Sequence, residues 1–522
     1  MNACERITTS FSAAGLLVLG LSILLHGAPG IASPAENDLF VSPRGSGTAC
    51  SRAKPCDLQT AVAQADDGDA VYLDQGTYTG TGQSVVSITE SIALYGGWDG
   101  ATSGPLVRDS DAYVTSLDGE LARRVMYVYG PLTATVEGLR IVNGRTFSST
   151  AGGWDGAGLY ARDGMLTVRD TDFISNVADV YDFDAANSYS YGGGMCVEGG
   201  TLEVISSTFA ANSAWARRAS KGGGLAISGT LTAAVTGSVF RDNDAWHASG
   251  VYVTNDYGSD SPFILRESVF LDNGQGHGAG AASGGYAGAV KVVNAKAQIE
   301  ENRFEGSRAV NDYGAVCIFS SDLSLARNVI AGNECGETSG LYLSGVSPFT
   351  VSNNIIAANE TRHTLRPQAA VEVRGGKGRF LHNTIARNES PYGLMAHRGT
   401  DLMLTDTLLY SHTLGISVSQ ESSVTLRRTL FYAHPGGDTG GPGTIVNTEP
   451  LTGENPRLTA DHHLGCGSPA IDAGVNAGLR VDIDGEARPR DGGYDIGADE
   501  FCRTCTYLAV VLRGSRASGT AP

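Results

Sequence analysis

Residues 201–243 read TLEVISSTFAANSAWARRASKGGGLAISGTLTAAVTGSVFRDN. One pattern occurs twice within them: Val204 and Val235, then Ser207 and Ser238, then Phe209 and Phe240, then Asn212 and Asn243, each at the same offset in both copies. Between the copies lies GGGLAI (222–227), in which Leu225 and Ile227 alternate with the period of two that belongs to a strand. Working outward, the large apolar position recurs at Phe173, Phe209, Phe240, Phe270, Phe304, Ile330, Ile356, Ile385, Leu409 and Phe431. The intervals are 36, 31, 30, 34, 26, 26, 29, 24 and 22 residues, so the repeat shortens toward the C-terminus.

Each copy keeps an apolar residue five positions before the large one. Three positions after it comes Asn176, Asn212, Asn243, Asn273, Ser307, Asn333, Asn359, Asn388, His412 and His434. Two positions before it run Thr171, Ser207, Ser238 and Ser268, then Asn302, Asn328, Asn354 and Asn383, then Thr407 and Thr429. Like polar side chains at successive turns can bond into ladders. With short strands, unequal loops and no apolar stripe at i, i+3, i+4, the pattern predicts a parallel β-helix of ten or more coils. A single coil cannot cover its own apolar face, whereas stacked coils cover one another.

Composition fits this reading. Glycine supplies 70 of 522 residues, nearly twice the ordinary share of about 7%. The 37 Lys+Arg against 55 Asp+Glu leave a net charge of −18, which argues against a nucleic-acid partner. Residues 1–32 read as a signal peptide, with Arg6 ahead of the apolar run Ala13 to Leu25 and small residues at Gly30 and Ala32. Residues 33–70 are expected to form an N-terminal cap with a short amphipathic helix over 57–67, and residues 71–434 the β-helix. Residues 435–505 are expected to form an irregular C-terminal cap, with 506–522 as a tail. The chain is expected to be a monomer, secreted or at the cell surface, with no transmembrane span after signal cleavage.

The motifs FVSPRGSGTACSRAKPCDLQTAVAQADDGDAVYL (40–73), DQGTY (74–78), LDGELARRVMYV (117–128) and VEGLRIVNG (136–144) resemble the opening of bacterial right-handed β-helix proteins of the pectin-lyase-like superfamily. The F-x-x-N units alternating with GGGM and GGGL resemble repeats of polymorphic outer-membrane proteins. SPAIDAG (468–474) followed by DIDGEARPRDGGYDIGADEF (482–501) is similar to the C-terminal segment of choice-of-anchor Q proteins. The resemblance implies an all-β, right-handed, single-stranded parallel β-helix.

One residue of each glycine-introduced strand should face away from the core: Tyr160, Cys196, Ala226, Tyr252, Lys291, Cys317, Tyr342, Glu372, Met395 and Ser417. Neighbours in that column would stand about 4.8 Å apart. Tyr160, Tyr252, Tyr342 and Glu372 are the candidate glycan-binding residues. Lys291 is the candidate base of a polysaccharide lyase, since that chemistry needs a base beside a neutralised carboxylate; an outward lysine is ordinarily just solvated. His277, in QGHGAG, resembles one element of polygalacturonases, but the three Asp motifs of those enzymes are absent.

Two oxygen-rich clusters would suit Ca²⁺: Asp179, Asp182 and Asp184, and Asp482, Asp484 and Asp491. Cys50 and Cys56 are a candidate disulfide, and Cys466, Cys502 and Cys505 are candidates for another, with Cys335 a further possible partner. No complete catalytic constellation can be assembled. The expected function is a non-catalytic adhesive or glycan-binding scaffold that engages extracellular polysaccharide or cell-surface glycan. The alternative is a lyase or glycoside hydrolase acting on acidic polysaccharide.

Overall fold

The computed structural model describes residues 38–148, 156–180, 189–216, 219–255, 261–274, 288–309, 313–362, 368–449 and 451–502. The expected signal peptide, His277, Asp182, Asp184, Cys505 and the tail lie outside them.

The chain winds as a parallel β-helix with three strands per coil. First strands run from Ser84–Ile88 through Leu159–Arg162 and Met195–Glu198 to Thr439–Gly440. Second strands run from Leu39–Val41 to Thr444–Thr448, and join the first strands in one 26-stranded sheet. Third strands form a separate 14-stranded sheet from Gly76–Tyr78 to Leu451–Thr452. The ladders thus begin before residue 71 and continue past residue 434.

Register follows the sequence columns. Phe173, Phe209, Phe240, Phe270 and Phe304 pair rung to rung, and their rings stack with centroids 4.7, 4.7, 4.8 and 4.9 Å apart. With the valines, leucines and isoleucines of the other strands they form one continuous buried core.

Both turns flanking the third strand carry one residue of positive φ per coil, three before the large apolar residue (Asp170, Ser206, Gly237 onward) and two after it (Ser175, Ala211, Asp242 onward). The buried polar ladders follow directly. Asn212 accepts at Oδ1 from the backbone N–H and the side-chain amide of Asn176, at 3.1 and 2.9 Å. Its own amide donates to Asn243 and to the carbonyl of Phe173. A fully bonded amide column can stay buried because every donor and acceptor has a partner.

Glycines entering the first strand serve close approach of successive coils. A Cβ on Gly194 would lie 2.6 Å from the Gly224 carbonyl, and one on Gly250 2.6 Å from that of Ala289.

At the N-terminal end the cap helix covers Leu58–Gln64, shorter than the expected 57–67. Asp57 accepts from the Thr60 N–H at its start, and extended Ala65 ends it, with the Asp66 N–H captured by Asp69. The Cys50–Cys56 disulfide closes a loop whose backbone bonds the outer edge of Leu39–Val41, through Phe40 N–H to Cys50 O and Ser42 N–H to Cys56 O. The loop shields a strand edge that would otherwise be open to pairing.

The irregular C-terminal segment is present, but it lies along the flank of the rod over the third strands rather than across its end. Val475 N–H donates to Asp406, Ala498 N–H to Thr384 Oγ1, and Asn353 to the carbonyl of Val481. Leu458, Leu464, Ala470, Ile496 and Phe501 pack on Ala386, Leu408 and Leu430. These are outward positions of third strands. The matching positions of an earlier coil, Asp172 and Ile174, are only partly buried. Terminal strand Thr444–Thr448 is largely exposed and pairs on one side only.

Candidate functional site

The outward column is in register as expected: Tyr160, Cys196, Ala226, Tyr252, Lys291, Cys317, Tyr342, Glu372, Met395 and Ser417 pair in that order. Most of it, however, is not solvent-facing. Tyr252 is 6% exposed, Tyr342 2% and Glu372 0%, and Cys196, Ala226, Cys317 and Met395 are buried too. Ala248 and Tyr313, from the entries to first strands, and Phe319, two residues beyond Cys317, form a second layer that closes on Tyr252, Cys317 and Tyr342. Tyr252 and Tyr342 are therefore packing residues of that layer, not an open aromatic stripe.

Glu372 organises the most highly charged part of this layer. Its carboxylate accepts from Thr338 Oγ1 at 2.5 Å, Arg374 Nε at 2.5 Å and His397 Nε2 at 2.8 Å. Burial alone would raise its pKa, but the bonds from His397 and Thr338 and the charge of Arg374 hold it below the usual carboxylate value. Buried Glu337 adds a second carboxylate 3.6 Å from Arg374. Arg374 and His397 are only partly buried, and stand side by side because their strands pair in register. The guanidinium lies 5.4 Å from the Tyr313 ring centroid and 5.2 Å from that of Tyr342, and those two rings stack at 3.9 Å. Burial opposes the charge on Arg374, yet Glu372 raises its pKa above the ordinary guanidinium value. It is a fixed cation, not a proton acceptor.

Lys291 stands three rungs from Glu372, roughly 14 Å at about 4.8 Å per rung. Its Nζ approaches His247 Nδ1 at 3.4 Å and lies 4.8 Å from the Phe319 ring centroid. Burial, then the charges of Lys291 and Lys221, push His247 down to about 3, so the imidazole is neutral at pH 7. Lys221 Nζ lies 5.0 Å from the Tyr252 ring centroid. The structure does not bring Lys291 and Glu372 together.

Tyr160 is the candidate tyrosine that remains half-exposed. Its hydroxyl donates to Glu198 at 2.9 Å, and its ring stacks on Tyr127 at 5.6 Å with Arg124 over both. Tyr129, parallel to Tyr127, is 51% exposed. The accessible aromatic surface of this column is thus at the N-terminal coils. On another side, a concavity of about 570 Å³ includes Arg108, Glu137, Arg140 and Asp172, but its arginines are already paired with those carboxylates.

The Ca²⁺ expectations change. Asp179 is buried and paired with Arg145 at 2.8 Å. Asp482 is buried and accepts backbone N–H groups from Asp484, Glu486 and Glu500, so its oxygens shape a turn. Asp484 instead lies 3.1 Å from His463. Cys50 and Cys56 are bonded to each other, Cys466 and Cys502 are each disulfide-bonded, and Cys335 is a free, buried thiol.

Arg374 and His397 were missed in the sequence, although a signal existed: each lies two residues beyond a column residue, Glu372 or Met395, and so on the same strand face. Thr338 and Glu337 lie in a coil entry with no repeating pattern, and nothing in the sequence marked them.

The chain is a right-handed parallel β-helix protein. A family model described as a right-handed beta helix region matches residues 282–406. No curated protein sequence matches the chain. Among solved structures it is similar to a periplasmic alginate epimerase, at 11% identity and TM-score 0.42, over 79% of this chain and 83% of that one. It is also similar to a pectate lyase, at 13% identity and TM-score 0.36, over 90% and 98% of the two chains. A third is an alginate lyase solved with a trisaccharide, at 11% identity and TM-score 0.38, over 82% and 91%. Among the described residues no helix is long and apolar enough to cross a membrane.

Proposed function

We propose that the protein is an exported or cell-surface glycan-binding scaffold whose binding face is the outer side of the first-strand column, and that it holds its ligand without cleaving it. One observation carries this reading: buried Glu372 fixes Arg374 and His397 side by side, partly exposed, with the guanidinium beside the partly buried ring of Tyr313. A preset cation and imidazole next to an aromatic ring suit a sugar that bears polar or carboxylate groups. Two of the chain's five lysines, Lys221 and Lys291, stand on the same face.

Binding is favoured over turnover by the disposition of the bases. Arg374 is held charged by two carboxylates, and Lys291 stands far from the acidic pair. The extracellular partner would be an acidic polysaccharide or a cell-surface glycan.

The test is retention on immobilised uronate and neutral polysaccharides, with His397→Gln and Arg374→Lys as probes. Loss of one charge-assisted bond to ligand, worth about 1.5–3 kcal/mol, should weaken binding roughly tenfold or more, measured under conditions where circular dichroism shows each variant folded. Equal retention of wild type and both variants would remove this face as the binding site. Release of unsaturated oligosaccharides would establish a lyase instead.

A further inference from the structure

We propose that His463, Asp484 and Asp499 form a binding site for a divalent metal ion of the zinc type. The site is separate from the glycan-binding face and does not depend on it.

One donor atom from each of the three residues lies within 4.8 Å of the other two, and His463 Nε2 is 3.1 Å from Asp484 Oδ2. Tetrahedral zinc with bonds of about 2.0–2.2 Å spaces its ligand atoms by roughly 3.3–3.6 Å. A closure of about an ångström would therefore complete the set, and Asp484, whose side chain is half-exposed, is free to supply it.

The imidazole is set for the role. Its Nδ1 donates to the backbone carbonyl of Asp461 at 3.1 Å, with the Asp461 carboxylate 3.5 Å away, which turns Nε2 toward Asp484 and Asp499. Ligating histidines are commonly oriented by such a bond at the other nitrogen.

The supports are rigid. The backbone N–H of His463 donates to Thr459 Oγ1, and Arg387 of the solenoid donates to the carbonyls of Leu458 and Thr459. Buried Asp499 accepts from the N–H of Leu464 at 2.7 Å. The site thus joins three parts of the flank segment, near residues 463, 484 and 499.

The donor set also distinguishes between metals. Ca²⁺ takes six to eight oxygens, whereas one imidazole with two carboxylates suits zinc and its transition-metal neighbours. Carboxylates crowded round His463 call for a cation.

The experiment uses the full chain, stripped with a chelator and titrated with zinc chloride by calorimetry at pH 7. One ion should bind per chain. Affinity should fall at least tenfold in His463→Gln and in Asp484→Asn, and calcium chloride in excess should not compete. Absence of zinc uptake by the wild type, or equal uptake by Asp484→Asn, would overturn the proposal. Asp484 is exposed enough that its variant decides the matter even if His463→Gln fails to fold.

Discussion

His382 Nε2 lies 3.2 Å from the carboxylate of Asp406, with both side chains fully buried beneath the C-terminal segment. The two residues belong to successive coils and occupy the same turn position, three before Ile385 and Leu409. His382 Nδ1 meets the carbonyl of Asp495 at 2.9 Å, and Asp406 accepts from Val475 N–H at 3.1 Å. Positive-φ turns of the solenoid thus grip a segment far along the chain.

Titration of this grip is the first expectation. Burial pushes Asp406 up to about 7, and burial with the charge of Arg488 pushes His382 down to about 3. A carboxylate raised by folding contributes its stability fully below pH 4 and loses it as pH climbs through 7. Asp406→Asn keeps an acceptor for Val475 without the charge. The variant should gain on wild type between pH 6 and pH 8, by roughly 1–2 kcal/mol at pH 8, read from urea unfolding and limited proteolysis of the flank segment. An advantage that does not change with pH would refute this account.

Tyr252→Ala and Tyr342→Ala should act on stability. Both rings are buried, and Tyr342 stacks on Tyr313. Each truncation should cost about 3–5 kcal/mol by chemical denaturation. In contrast, truncating exposed Tyr129 should leave the melting temperature within a degree or two, as is usual for surface changes within about 0.5 kcal/mol.

The asparagine column should be intolerant of deletion. Asn333 donates to Asn359 and to the carbonyls of Phe304 and Ala331, and its Oδ1 accepts from the N–H of Ser307. Asn333→Ala strands buried partners on both sides, at about 1–3 kcal/mol each. Unfolding midpoints should fall accordingly, with native circular dichroism retained in water.

Reduction of Cys50–Cys56 should have a double effect. Opening a loop of this size removes about 2 kcal/mol of chain-entropy stabilisation, and it frees the edge of Leu39–Val41. A Cys50→Ser, Cys56→Ser double variant should melt earlier and associate at concentrations where the wild type is monodisperse, as light scattering would show.

Most of the solenoid was legible because each coil repeats one local pattern. Phe209, Ser207 and Asn212 have counterparts at fixed offsets in neighbouring coils, and parallel pairing in register places like on like. Exposure was not legible. Whether Tyr252 faces water depends on what lies above it, and Ala248 and Tyr313 come from coil entries that share no period. For the same reason Glu372 could be placed on the outer face, but its partners Thr338 and Glu337 could not.

The amino-acid sequence by itself determined the coil, the strand register and the two side-chain ladders, since those depend only on spacing within a repeat. Tertiary structure alone decided that the Asp- and Gly-rich C-terminal segment lies along the flank, that the outward column is roofed, and that His463 meets Asp484 and Asp499. Each of these joins residues that no periodicity relates, through contacts that exist only once the whole chain has wound.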